Sequence, residues 1–156
     1  RDFEGRSALL LGRAKDNNGS CAVGPVLRLF DDTFDLDAIR RIELELRIEG
    51  PDGFALEDRS SMAFISRDVA DLAAQAASRN HQYPDGLVLF VGTMFAPTKD
   101  RDAPGLGFTH KVGDVVTIAA PELGTLVNRV KRCPDVAPWT FGASALMTNL
   151  AKRGLI

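Results

Sequence analysis

The sequence predicts a mainly β fold of the α+β class, with a few short helices. Three observations predict it. Residues 42–49, Ile-Glu-Leu-Glu-Leu-Arg-Ile-Glu, alternate apolar and charged without a break. Further apolar stretches at 87–91, 115–119 and 123–130 are set off by turn residues such as Gly, Pro and Asp, as strands are. Only 69–77 and 142–155 carry alanine and leucine at helical spacing.

In chain order, the first 25 residues are polar and glycine-rich around Ala8-Leu9-Leu10-Leu11 and are expected to be mostly loop bearing functional groups. Val26-Leu27-Arg28-Leu29-Phe30 alternates imperfectly and predicts a short strand. Asp35-Leu36-Asp37 opens the approach to 42–49. There a period of two puts Ile42, Leu44, Leu46 and Ile48 on one face and the charges on the other, a strand with one wet face. Gly50-Pro51-Asp52-Gly53 is dense in turn residues and predicts a hairpin into Phe54-Ala55-Leu56-Glu57-Asp58. Ser66 is a candidate N-cap for the helix over 69–77, which ends before Tyr83-Pro84-Asp85-Gly86. Leu87 to Val91, apolar throughout, predicts a buried strand. Residues 92–107 are loop; within them 97–107 holds Lys99, Asp100, Arg101 and Asp102, and fits a cover over a site, a dimer contact or a solvated loop. Lys111-Val112-Gly113-Asp114 reads as a turn into the strand 115–119, with 123–130 as a partner. Ala145, Leu146, Leu150 and Ala151 space a C-terminal helix.

With 156 residues and 45% hydrophobic content, the chain can bury one sizeable core, so 1–156 is read as a single domain. A net charge of −2 argues against a nucleic-acid partner. No apolar run approaches the roughly 18 residues that cross a bilayer, so no membrane partner is expected. Cys21 and Cys133 are too few for a secreted disulfide framework or a four-ligand zinc site. Both are read as reduced thiols in a cytoplasmic protein. Cys21 has no base nearby in sequence and is read as a small packed residue. His81 and His110 form no metal-binding pair and are read as surface or satisfied polar residues.

Three segments together resemble the fumarylacetoacetate hydrolase superfamily. The first is Arg1-Asp2-Phe3-Glu4-Gly5, then Ala14-Lys15, then Gly19-Ser20-Cys21-Ala22-Val23-Gly24-Pro25. The second runs from Pro84-Asp85-Gly86 to Val91-Gly92-Thr93. The third runs from Val112-Gly113-Asp114-Val115-Val116 to Leu123-Gly124-Thr125-Leu126-Val127-Asn128-Arg129-Val130. Each is weak alone, since Gly-Thr and Gly-Asp pairs are common; their order and spacing make the match specific. The first segment is similar to the branch whose members include 2-keto-3-deoxy-pentonate dehydratases.

The resemblance implies a mixed, strongly coiled β-roll, a homodimer, and a Mg²⁺ (or Mn²⁺) ion held by carboxylates. The family's metal ligands, a Glu-x-Glu pair and an Asp, would precede Arg1. The sequence starts mid-motif without an initiator methionine, so an N-terminal part holding those ligands is expected upstream.

The same residues can be read from their chemistry. A 2-oxo acid needs a cation near its developing enolate and donors for its carboxylate. Lys15 supplies the charge, against a bland reading as a solvated lysine. Gly19 and Ser20 bring backbone N–H groups close to an anion, or form an ordinary turn. Thr93 offers hydroxyl and amide to the substrate carboxylate, or is a structural turn threonine. Glu4 is a substrate-contacting candidate. Arg1 orients a metal-binding carboxylate, and Asp2 partners a backbone amide. The leading expectation is a Mg²⁺-dependent lyase that dehydrates a 2-keto-3-deoxy sugar acid. A C–C hydrolase of acylpyruvates or a 2-oxo acid decarboxylase shares the enolate step, and a non-catalytic β-roll module is the reading without metal.

Overall fold

The computed structural model describes residues 16–156. They fall into two compact units, one of residues 24–130 and one of 131–156 with the described residues 16–23.

The larger unit is built on four antiparallel strands. They are β1 (Glu43–Glu49), β2 (Ala55–Ser61), β3 (Val115–Ala120) and β4 (Gly124–Arg129), in the spatial order β2-β1-β3-β4. The alternation over 42–49 does what its period requires. Ile42, Leu46 and Ile48 are buried and Glu43, Glu45, Arg47 and Glu49 are exposed. Register places Ile48 between Leu56 and Val116, and Leu46 beside Ile118. One face of the sheet therefore carries the core in two adjoining clusters. One holds Phe34, Ile42, Met62 and Ala120; the other holds Leu46, Ile48, Leu56 and Phe108. On the wet face, Glu45 pairs with its cross-strand partner Arg59 at 2.7 Å.

Two helices accompany this sheet. Helix α1 (Leu36–Arg40) is capped by Asp35, whose carboxylate accepts from the Ala38 amide at 2.8 Å. Helix α2 (Val69–Ala76) was expected to be capped by Ser66. Its cap is Asp68, which accepts from the Ala70 amide at 2.9 Å and from Arg40 Nε at 2.6 Å. The carboxylate does both jobs and ties the two helices together through a charge-assisted pair that a neutral serine hydroxyl does not make. In the smaller unit, α3 (Ala143–Lys152) forms where the spacing predicted it.

Two expected strands do not form. Residues 26–30 run without a ladder partner, and Arg28 is drawn into local pairing with Asp31 at 2.6 Å and over the Phe34 ring at 4.9 Å. Residues 87–91 are neither paired nor buried, with exposures between 42% for Leu89 and 73% for Val88. Apolar composition favours a strand, but a strand exists only where a neighbour takes its N–H and C=O groups. Among the described residues none does. Cys21 is exposed rather than packed, and neither cysteine forms a disulfide.

Candidate functional site

Thr93 follows the unpaired segment 87–91. Its hydroxyl donates to the Phe95 carbonyl at 2.9 Å and accepts from the Phe95 amide at 3.2 Å. This local ring holds the side chain in a turn. The next two residues reach the apolar face. Met94 packs against the Phe34–Ile42 cluster and Phe95 against the Leu46–Ile48 cluster. Lys99 then donates to the Ala55 carbonyl at 2.6 Å and lies over the Phe54 ring at 5.2 Å.

Arg101 closes this path and overturns the reading of 97–107 as a simple solvated loop. It is only 3% exposed, and Asp114 is fully buried. Arg101 Nη1 and Nη2 donate to the two oxygens of Asp114 at 2.6 and 2.8 Å. Nη2 and Nε donate to Asp52 at 2.8 and 3.2 Å, and Nη1 donates to the Thr109 carbonyl at 3.2 Å. Five donor contacts match the five N–H groups of a guanidinium. Lys111 extends the cluster to Asp102 and, at 3.0 Å, to Asp52. His110 lies edge-on to Phe108, with Nδ1 3.5 Å from Asp114, as a satisfied polar residue should.

The charges set each other's titration. The Arg101 hydrogen bonds hold the Asp114 carboxyl below the usual range against burial, which pushes the other way. Arg101, then Lys111, hold Asp52 well below that range. Asp114 and Asp52 raise Arg101, and Asp102 and Asp52 raise Lys111. Asp100 is lowered by accepting the Gly105 and Gly107 amides, which shapes the loop tip.

Gly19 and Ser20 lie in the smaller unit, in a turn. Ser20 Oγ and its amide both donate to the Asn17 carbonyl, at 2.7 and 3.2 Å. Gly19 has φ +68°, and a Cβ there would press on Val136 at 3.0 Å. Only glycine suits that turn. Arg1, Asp2, Glu4 and Lys15 lie outside the described residues.

The expected Mg²⁺ was tested against the donors present. Among the described residues no three His, Cys, Asp or Glu side chains converge to hold a metal. Each of the carboxylates that gather, Asp52, Asp102 and Asp114, is already paired with Arg101 or Lys111. The described residues therefore do not fit the ion.

Comparison with known proteins decides the family. The model of the fumarylacetoacetate (FAA) hydrolase C-terminal domain matches residues 1–131. The chain belongs to this family. Within it, the chain is 30% identical over 135 residues to a 2-dehydro-3-deoxy-D-arabinonate dehydratase of Saccharolobus solfataricus, a match covering 85% of this chain and 41% of that protein. It is 26% identical over 130 residues to a probable 2-keto-3-deoxyxylonate dehydratase of Haloferax volcanii, covering 83% and 41%. A crystal structure of 2-keto-3-deoxyarabinonate dehydratase superposes with a TM-score of 0.67 at 27% identity, over 84% of this chain and 41% of that one. A second solved structure, of 2-keto-3-deoxy-D-arabinonate dehydratase complexed with magnesium and 2,5-dioxopentanoate, gives 0.65 at 27%, over 84% and 43%. The chain thus spans about 41% of the length of the curated relatives it matches. The family's β-rich fold with few helices is the one observed, and its described strands are all antiparallel.

The Arg101 cluster was missed from sequence. Its signal was present: four consecutive charged residues between prolines, and Asp114 opening a strand after a Gly. Nothing in the linear sequence brings Asp52 to them across the 49 positions that separate it from Arg101.

Proposed function

We propose that this chain forms part of a hydro-lyase that removes water from a 2-keto-3-deoxy sugar acid of pentonate size. One observation carries the reading: relatives from two organisms are both named as dehydratases of such acids. The family match over 1–131 runs through Lys15, Gly19, Ser20 and Thr93.

In such an acid C3 lies between the ketone and the carbon that bears the 4-hydroxyl. Loss of a C3 proton gives an enolate. Collapse of the enolate expels the 4-hydroxyl, which takes up a proton and leaves as water, and a conjugated 2-oxo-3-enoate remains. Each residue of this chain has one task in the scheme. Lys15 places its ammonium by the enolate oxygen, where charge develops. Gly19 and Ser20 offer a backbone N–H and a hydroxyl to substrate oxygens. Thr93 holds the carboxylate by turning its hydroxyl proton away from the Phe95 carbonyl, a rotation about one bond. Glu4 contacts the substrate, and Arg1 and Asp2 orient their neighbours. The magnesium in one relative's solved structure supports a divalent-cation requirement. In this reading its ligands come from outside the described residues.

The test is product identification. The intact protein is incubated with Mg²⁺ and either 2-keto-3-deoxypentonate or acetylpyruvate, and products are assigned by NMR. Loss of water from the sugar acid is the expected result. Cleavage of acetylpyruvate with no turnover of the sugar acid would move the assignment to C–C hydrolysis. Turnover of neither would leave a binding module. For an active protein, Lys15→Met is expected to lower kcat by about 10²–10³-fold, the scale of losing one charge-stabilising donor.

A further inference from the structure

We propose that Arg101 is a positioning residue for Thr93, holding the substrate-facing segment against the sheet. The proposal rests on the reading of Thr93 given above. Arginine is rarely buried without partners, and this one has a partner for every N–H. Its fork joins three places: Asp52 in the β1–β2 turn, Asp114 at the entry to β3, and the Thr109 carbonyl. Between Thr93 and Arg101 the chain is pinned repeatedly, by Met94, Phe95 and Lys99. The path out of Thr93 therefore has little slack, and its far end is fixed by the guanidinium.

Two features separate positioning from bulk stability. A buried ion pair adds little net stability over an apolar equivalent, whereas its geometry is specific. And the space is shaped for it: a Cβ on Gly50 would overlap both the Asp52 carboxylate and Arg101 Nη2. Lysine at 101 would keep the charge but lose the fork that spans both carboxylates.

The experiment is a double-mutant cycle in steady-state kinetics on the intact protein with Mg²⁺. It is read on whichever of 2-keto-3-deoxypentonate and acetylpyruvate the wild type converts, since both present the same 2-oxo carboxylate. Arg101→Met is expected to raise KM about tenfold with kcat changed less than about threefold, the signature of lost uniform binding. Arg101→Lys recovers part of that loss. In a Thr93→Val background Arg101→Met adds less than about twofold, because the residue it positions is gone. Should Arg101→Met fail to fold, Asp52→Asn breaks the outer half of the fork at a partly exposed carboxylate. It is expected to show a smaller KM rise that also vanishes with Thr93→Val. Additive effects, or an unchanged KM in Arg101→Met or Asp52→Asn, would overturn the positioning role while leaving Thr93 in place. Wild-type kinetics in Thr93→Val, or a wild type that converts neither acid, would remove the Thr93 reading and this proposal with it.

Discussion

The outer face of β1 and β2 and the cluster around Arg101 both pair opposite charges, with different consequences. Glu45 and Arg59 meet at 2.7 Å across the strands with both side chains more than half exposed. Water and salt compete for each, and the pair holds two long side chains that would otherwise move freely. Arg101 and Asp114 meet at a similar distance, 2.6 Å, in a site that water does not reach. There the cost of a missing partner is large, because the remaining charge is stranded. Equal contact distances thus carry unequal weight, and burial decides which. The exposed pairs add little to the wet face. The buried set fixes a loop.

That contrast can be broken most sharply at Asp114. Asp114→Ala strands the buried guanidinium against Asp52 alone, and is expected to cost about 3–5 kcal/mol in urea unfolding. A loss near zero would show that the cluster is hydrated in solution. Acid should follow. Asp114 and Asp52 titrate below their usual range when folded, and return to about 3.9 in the unfolded chain. Their stabilisation is therefore complete above about pH 4 and is lost as pH falls towards the lower folded values, because the unfolded chain takes up protons first. Urea midpoints should fall between about pH 6 and pH 3, and less steeply in Asp52→Asn than in wild type. A smaller effect is expected from Gly50→Ala. Its Cβ displaces the Asp52–Arg101 contact, so the urea midpoint drops but by less than in Asp114→Ala. Least of all, Glu45→Gln should leave the midpoint unchanged within error, because an exposed pair adds little.

How far the sequence announces these features varies with what each depends on. The strand over 42–49 is legible because its period of two is a local property, and the buried Ile42, Leu46 and Ile48 follow from it directly. The hairpin at 50–53, both longer helices and the pairing of 115–120 with 124–129 are legible for the same reason. Residues 87–91 are as apolar as any strand, yet stand exposed. Composition states an appetite for burial, while pairing needs a neighbour that composition does not name. The site shows the same divide. The Ser20 and Thr93 hydroxyls bond to residues two or three positions away in sequence. Arg101 meets Asp52 and Asp114 only through the fold, so its burial was invisible among other loop charges.

In the proposed arrangement buried charge, not loop composition, holds the segment after Thr93. Amide hydrogen exchange tests it most directly, in wild type, Asp52→Asn and Glu45→Gln. The amides to follow are Arg101, bonded to the Gly107 carbonyl, and Gly105 and Gly107, bonded to Asp100. Faster exchange at all three in Asp52→Asn, with Glu45→Gln indistinguishable from wild type, is the predicted result. Equal protection in all three proteins would contradict it.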